Sequence, residues 1–432
     1  MKKIFQSKIF HNFSWLFIDK LIRLVLSLFV SIVVARYLGP EQYGVWSYLL
    51  SITMFFTTFV GLGFHSILPR ELIKHPEKEQ SLVSTVFIFK IIGGLIGFGL
   101  NILLFIWFKK PDTYLLLMMS LMASLLIFQS SEVSDLFFKA KLQAKYSVIG
   151  RNLAFIIIAL LKLYLVYNQY DLVYFVATNS IEMLIGGVFV FYFYFKKGYS
   201  LSLKRIDWSL GKALLKDGLP MAISGLMVML YMRIDQVMVT EIAGNTANGI
   251  YSTGVRMIEI VYFIPIALSD SFFPGIVYSK KHEGEKYQKN MLGFYSIMTY
   301  FSLGITLVII IISKPMMSLF FGQDFEGSGE VLQVFGFSIY ATFLGNANGK
   351  YLVTENYKHI LLFRSISGLT VNVLLNLIWI PKFGFIGAAY ASFISYFIPI
   401  AVLVFFKSTR PQLKLMIMAF NPKHLLEKLR SN

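Results

Sequence analysis

The chain has 432 residues, 56% of them hydrophobic and only 15% charged, with 40 Lys/Arg against 23 Asp/Glu and no cysteine. Soluble proteins carry about 25% charged residues, so a surface this apolar could not be held in water. Soluble enzymes, nucleic-acid binders and disordered chains are excluded on that ground. The missing cysteines exclude disulfides, thiol catalysis and cysteine-ligated zinc.

A membrane span needs about 20 mainly apolar residues. Apolar runs of that length fall at 12–37, 43–68, 82–107, 113–137, 148–167, 171–195, 215–240, 248–275, 290–313, 329–352, 359–380 and 384–406. They are too long for strands and lack the alternation of a barrel, so all are expected to be α-helices whose backbone groups bond internally. The first 17 residues are basic and then apolar. Asp19, Lys20 and Arg23 follow where a cleavable signal would be purely apolar, so this stretch reads as the start of the first span. The longest polar connector, 196–218, divides the chain into lobes at 1–205 and 206–410. Residues 206–216 are expected to form an interfacial helix, and 411–432 an amphipathic cytoplasmic tail.

Lys and Arg favour the cytoplasmic side of short loops. With the N-terminus inside, the inner segments carry 28 of the 40 Lys/Arg and the outer turns 4. Both ends are therefore expected in the cytoplasm. The net charge of +17 then reads as contact with the anionic inner leaflet, with no need for nucleic acid.

A weak repeat runs through the chain. At a shift of 205, Gly39 meets Gly244, Gly44 meets Gly249, Trp46 meets Tyr251 and Ser47 meets Ser252. That shift equals six spans, so the halves read as parallel repeats of the kind found in alternating-access transporters.

Residues 13–52 resemble the opening of the Wzx-type polysaccharide flippases of the multidrug/oligosaccharidyl-lipid/polysaccharide exporter superfamily. The likeness lies in Lys20, Arg23, the run Ala35-Arg36-Tyr37-Leu38-Gly39-Pro40-Glu41 and the pair Tyr43-Gly44. Near the other end, Gly384, Gly387, Ala388, Ala389, Ala391 and Ser392 resemble the family's last turn and span. The middle of the chain agrees through topology alone. The resemblance implies an all-α integral membrane fold of about twelve helices in two six-helix lobes around a central cavity. It implies a substrate, undecaprenyl-diphosphate-linked oligosaccharide, moved from the inner to the outer leaflet of a bacterial cytoplasmic membrane for O-antigen, lipopolysaccharide or capsule synthesis. A glycan polymerase and a chain-length regulator are the partners that go with such a role.

Ionisable groups inside spans cost about 2.5–3.5 kcal/mol or more and usually face protein or water. The cationic candidates for gripping a diphosphate are Lys20, Arg23, Lys90, Arg151, Lys162, Arg233 and Arg256. Lys20, Arg23, Ser27 and Ser31 share a stripe of the first span, and Arg151 and Lys162 share a stripe of the fifth. Arg36 reads equally as a cap at the outer end of its helix, and Arg364 as a residue of the inner interface. Glu132, Asp135, Glu182 and Glu259 are candidates for a coupling ion or a gate. Glu132 and Asp135 read more simply as neutralising partners for Arg151 or Arg23, and Glu259 as the partner of Arg256. The first, third and fifth spans together hold six cations and one acid, which predicts a basic face in the first lobe. No cofactor, metal site or P-loop is expected; Na+ or H+ coupling stays open. Two rivals are a cation-coupled drug antiporter of the same superfamily, which eighteen methionines would suit, and a membrane glycan polymerase or ligase, which the short outer turns argue against. The chain is not expected to be an enzyme.

Overall fold

The computed structural model describes residues 2–282 and 284–422, with side chains from residue 23 onward apart from 281, 285, 286 and 358. Among these residues there is no strand, as the bilayer argument requires. Among the described residues nine helical stretches are long and apolar enough to cross a membrane; two of them, Arg23–Lys74 and His359–Phe405, run to 52 and 47 residues. A bilayer core of about 30 Å takes about 20 helical residues, so each of these two has the length for a second crossing.

Helix α1 (Lys2–Gly61) is interrupted at Gly39, where φ is 70° and ψ 172°. Helix α2 (Phe64–Lys74) and α3 (Glu79–Lys109) follow. The expected fourth span is broken into α4 (Thr113–Ala123), α5 (Leu125–Phe128), a 3-10 turn at Gln129–Ser131 and α6 (Glu132–Ala140). Serine hydroxyls compete for backbone partners in such a stretch: Ser134 Oγ donates to Ser131 O at 2.8 Å and Ser124 Oγ to Leu121 O at 2.8 Å. Helices α7 (Ala144–Tyr167) and α8 (Leu172–Lys196) complete the first group. Then come α9 (Trp208–Ala243), α10 (Asn245–Val261), α11 (Phe263–His282), α12 (Glu285–Phe321), α13 (Ser328–Thr354), α14 (Lys358–Ala401), which breaks at Gly384, and α15 (Arg410–Met418).

The chain divides into two compact units. The first holds the chain up to Leu38 together with Trp46–Met229; the second holds Gly39–Val45 and the chain from Leu230 onward. In the first unit Phe64, Leu68, Val83, Val133, Phe137, Phe138, Val190 and Tyr194 form a buried cluster joining α2, α3, α6 and α8. Phe137 meets the Tyr194 ring edge-on at 5.1 Å. The interfacial helix expected at 206–216 is not separate. Asp207 Oδ1 accepts from Leu210 N at 2.9 Å, and α9 then runs unbroken through the junction. Pro220 does not end it.

The repeat is visible in the backbone. Gly244 has φ 91° and ψ 173°, nearly the angles of Gly39. Both lie in the region that glycine alone enters without strain. Five residues on, a Cβ on Gly249 would overlap the Pro40 carbonyl, and one on Gly44 would overlap the Asn245 carbonyl. Asn248 Nδ2 fastens the two turns by donating to Gly44 O at 2.9 Å. The tail helix α15 buries Gln412, Leu415 and Met416 and leaves Ile417 72% exposed. Gln412 Oε1 accepts from Tyr295 on α12 at 3.1 Å.

Candidate functional site

In the first unit the fourth span supplies two carboxylates, one turn apart on α6, and each takes a cation from a neighbouring helix. Lys90 of α3 places Nζ 2.7 Å from Glu132 Oε2, with its side chain only 1% exposed. Gln129 Nε2 steadies that carboxylate from 3.4 Å and donates to Thr57 O at 3.1 Å. Arg151 of α7 donates to Asp135 Oδ2 through Nε at 3.0 Å and Nη2 at 2.5 Å, to Ser131 Oγ at 3.2 Å and to Met183 O at 3.3 Å. Small residues allow these approaches: a Cβ on Gly94 would press on the backbone of Leu126 and Ile127 at α5, and one on Gly186 would meet Arg151 Nη1 at 2.9 Å. The basic face predicted across spans one, three and five is therefore not open at Lys90 or Arg151. Both are spent on α6, and Asp135 takes Arg151 while Glu132 takes Lys90.

Two other cations of this unit lie on aromatic rings. The Arg23 guanidinium sits 5.7 Å from the Phe155 centroid, and Lys162 Nζ sits 5.2 Å from Trp46. Such contacts hold a cation at about 0.5–2 kcal/mol. Both side chains are half-buried. Lys20 lies outside the residues whose side chains are described. Arg36 is exposed. Glu182 on α8 is half-buried and forms no ion pair among the described residues. Beside Ser131, an apolar groove of about 530 Å³ opens between α3 and α8, lined by Phe87, Phe128, Phe191 and Phe195.

In the second unit Glu259 of α10 bridges two arginines. Arg233 Nη2 of α9 lies 2.8 Å from its Oε1, and Arg256 Nη1 lies 3.7 Å from Oε2. The i,i+3 pair expected on α10 is present but long; the closer partner comes from α9. One carboxylate between two guanidiniums leaves a net positive charge, and Arg256 keeps 40% of its side chain exposed. Asp270 pairs instead with Lys350 at 2.7 Å.

Asp235 is not among the candidates that the sequence offered. The structure buries it to 5% exposure within a polar network. Tyr251 OH donates to Oδ2 at 2.9 Å, Ser392 Oγ donates to the same oxygen, and Asn376 Nδ2 donates to Oδ1 at 2.6 Å. Asn376 also donates to Asn372 Oδ1 at 3.1 Å. No lysine or arginine reaches Asp235 among the described residues. The i,i+4 pair Asn372/Asn376 inside an apolar run was the available signal. Arg364, six residues into α14, is buried within the protein at 6% exposure and donates to Asn348 Oδ1 at 2.7 Å.

Two solved structures share this architecture. The lipid II flippase MurJ in its inward closed conformation superposes with a TM-score of 0.66 at 16% identity, covering 96% of this chain and 92% of its own. An inward-facing multidrug resistance MATE family transporter of the MOP superfamily gives 0.67 at 14% identity, covering 91% and 96%. The chain shares the all-helical, multi-pass membrane fold of these two proteins. CapF of Staphylococcus aureus, a capsular polysaccharide biosynthesis protein, is 22% identical over 410 residues, 91% of this chain and 98% of its own length. Residues 9–279 match the polysaccharide biosynthesis protein family, and the chain belongs to that family.

Proposed function

We propose that this protein is a flippase that carries undecaprenyl-diphosphate-linked oligosaccharide repeat units from the inner to the outer leaflet of the bacterial cytoplasmic membrane, by alternating access, for capsule or O-antigen synthesis. The observation that carries the reading is the Arg233–Glu259–Arg256 cluster. It is a cationic group inside membrane spans, held rigid on one side and half-exposed on the other. Moving a bare ion into low dielectric costs about 20 kcal/mol in the idealised limit. A diphosphate needs protein charges in place of water, and guanidinium grips phosphate oxygens in pairs. Arg23 and Lys162 supply further cations at aromatic rings in the first unit. The likeness to CapF supports a surface polysaccharide, and the likeness to MurJ supports a lipid-linked cargo.

The same proposal counts twelve spans. The nine stretches give eleven when the two long ones are divided at Gly39 and Gly384, and α13 is the twelfth. Lys/Arg placement supports both ends in the cytoplasm. For ion coupling by Na+ or H+, Asp235 is better built than Glu132, Asp135 or Glu259. Those three already hold cations, whereas Asp235 is a buried carboxylate with oxygen and amide neighbours only.

The test is complementation. A strain lacking this gene should regain surface polymer with the wild-type chain and accumulate lipid-linked repeat units on the cytoplasmic side without it. A cation-coupled drug antiporter is the second reading, favoured by the MATE likeness. It predicts drug resistance on expression and no change in polymer, and that outcome would replace the flippase reading.

A further inference from the structure

Arg364 stands two turns into α14, about 9 Å along the helix from its first residue. Its side chain is 6% exposed, and arginine does not give up its proton in proteins. Lys90, Arg151 and Arg233 each meet a carboxylate within 2.8 Å. Arg364 meets none within ion-pair distance among the described residues. Its acceptors are neutral: Asn348 Oδ1 at 2.7 Å and Gly345 O at 3.3 Å.

One donor of the guanidinium lacks an acceptor: Arg364 Nε is buried with no hydrogen-bond partner. Asn348 is fully buried beside it, with its amide against the Tyr295 phenol. The nearest ionisable groups are the phenols of Tyr295 and Tyr231. Tyr295 OH donates to Gln412 Oε1 of the tail helix, and Tyr231 OH is itself buried without a partner. The guanidinium thus has a fixed positive charge, a spare N–H group and no carboxylate within ion-pair distance among the described residues; Asp235, one turn along α9 from Tyr231, is engaged by Tyr251, Ser392 and Asn376 instead. A buried, uncompensated ion costs several kcal/mol, and orphaned donors add to it. An anion removes both penalties together.

We propose that Arg364 and Asn348 hold a small inorganic anion of the chloride class inside the second unit. Helices α9, α12, α13 and α14 enclose the position with Tyr231, Tyr295, Asn348 and Arg364, and Gln412 of α15 lies beyond Tyr295. A guanidinium this deeply buried meets a monatomic ion more readily than a glycan diphosphate. The anion is a structural counter-ion of the lobe, and its presence does not depend on what the protein transports.

The experiment is thermal unfolding of the purified full-length protein in detergent, in sodium chloride, bromide, gluconate or inorganic phosphate at matched ionic strength. A ligand that binds only the folded state raises the midpoint with its concentration. Chloride and bromide should raise it by a few degrees over gluconate, and phosphate should not. Arg364→Met should abolish the chloride response, and Asn348→Leu should weaken it. Because Arg364→Met could fail to fold, chloride-35 line broadening by the wild-type protein gives a second readout, competed by bromide. Equal midpoints in chloride and gluconate, a response confined to phosphate, or a chloride response kept by folded Arg364→Met would each overturn the proposal.

Discussion

Lys90 Nζ and Glu132 Oε2 meet at 2.7 Å, but the two side chains are not equally buried: the lysine is 1% exposed and the carboxylate 38%. The pair is therefore asymmetric. Glu132→Leu leaves a lysine stranded in the unit's interior, at a cost of about 3–5 kcal/mol. Lys90→Met leaves a carboxylate that is less enclosed than the lysine was and keeps Gln129 Nε2 as a donor, so the loss should be the smaller of the two. The expected order of melting temperatures in detergent is wild type, then Lys90→Met, then Glu132→Leu, with the double variant recovering most of the larger loss. A Lys90→Met protein less stable than Glu132→Leu would show that the lysine's charge is compensated elsewhere.

The glycine turns make a second pair of expectations. Alanine at Gly44 or Gly249 puts a methyl into the opposing turn's backbone, which cannot yield as a side-chain tip could. Overpacking of that kind costs about 1–3 kcal/mol. Alanine at Gly304, an exposed helical glycine with open space where its Cβ would stand, should instead stabilise by about 0.5–1 kcal/mol. Folded yield on size-exclusion separates the cases: the first two variants should fall and the third should not.

These glycines also mark what was legible in the sequence. The shift of 205 matched Gly39 to Gly244 and Gly44 to Gly249, and the structure gives the first pair one conformation and packs the second pair's turns together. The aromatic matches extend it: Trp46 carries Lys162, and its counterpart Tyr251 donates to Asp235. Apolar length located the helices for the same reason, because lipid leaves the backbone one solution. Partner choice was not legible in the same way. Glu132 and Asp135 could be read as neutralisers from their spacing, but which cation each takes depends on how α3 and α7 pack against α6, and no one-dimensional pattern encodes that. The Asp235 network joins residues 235, 251, 376 and 392 from three helices, so local periodicity could not assemble it. The break in the fourth span did carry a signal, the polar run Gln129-Ser130-Ser131 that forms the 3-10 turn, but reading by apolar length alone passes over it.

Arg256 and Glu259 should separate function from stability. Arg256 is 40% exposed and its contact with Glu259 is 3.7 Å, so Arg256→Ala should change the melting temperature little. If the cluster grips a diphosphate, surface polymer should fall at least about tenfold, the loss of one charge-assisted contact of about 1.5–3 kcal/mol. Glu259→Gln should do the reverse in part. It leaves Arg233 less well compensated and lowers stability, while substrate binding is retained or tightened. Full polymer export by a well-folded Arg256→Ala protein would remove this cluster from the transport path.

Asp235 provides the sharpest test of ion coupling. Its carboxylate accepts from Tyr251 and Ser392 on one oxygen and from Asn376 on the other. Asp235→Asn keeps the shape but turns one acceptor into a donor, so one end of the amide must face an N–H or O–H that it cannot satisfy. That mismatch costs about 1–3 kcal/mol, a loss that a chain of 432 residues should survive. The amide also cannot take up a proton or neutralise a sodium ion in the way the carboxylate can. A transporter driven through this residue should then lose its response to an imposed Na+ or pH gradient, even where the variant inserts normally. Membrane vesicles loaded with lipid-linked repeat units would show it: wild-type transfer rises when the gradient is imposed, and Asp235→Asn transfer stays at its ungradiented rate. Because the amide disturbs the packing too, Asn376→Leu serves as a comparison. It removes a donor to Oδ1 and leaves the carboxylate in place, so it should lower the melting temperature yet keep the gradient response. If Asn376→Leu and Asp235→Asn lose that response together at equal stability, the network acts only by shaping the lobe, and the driving ion binds elsewhere.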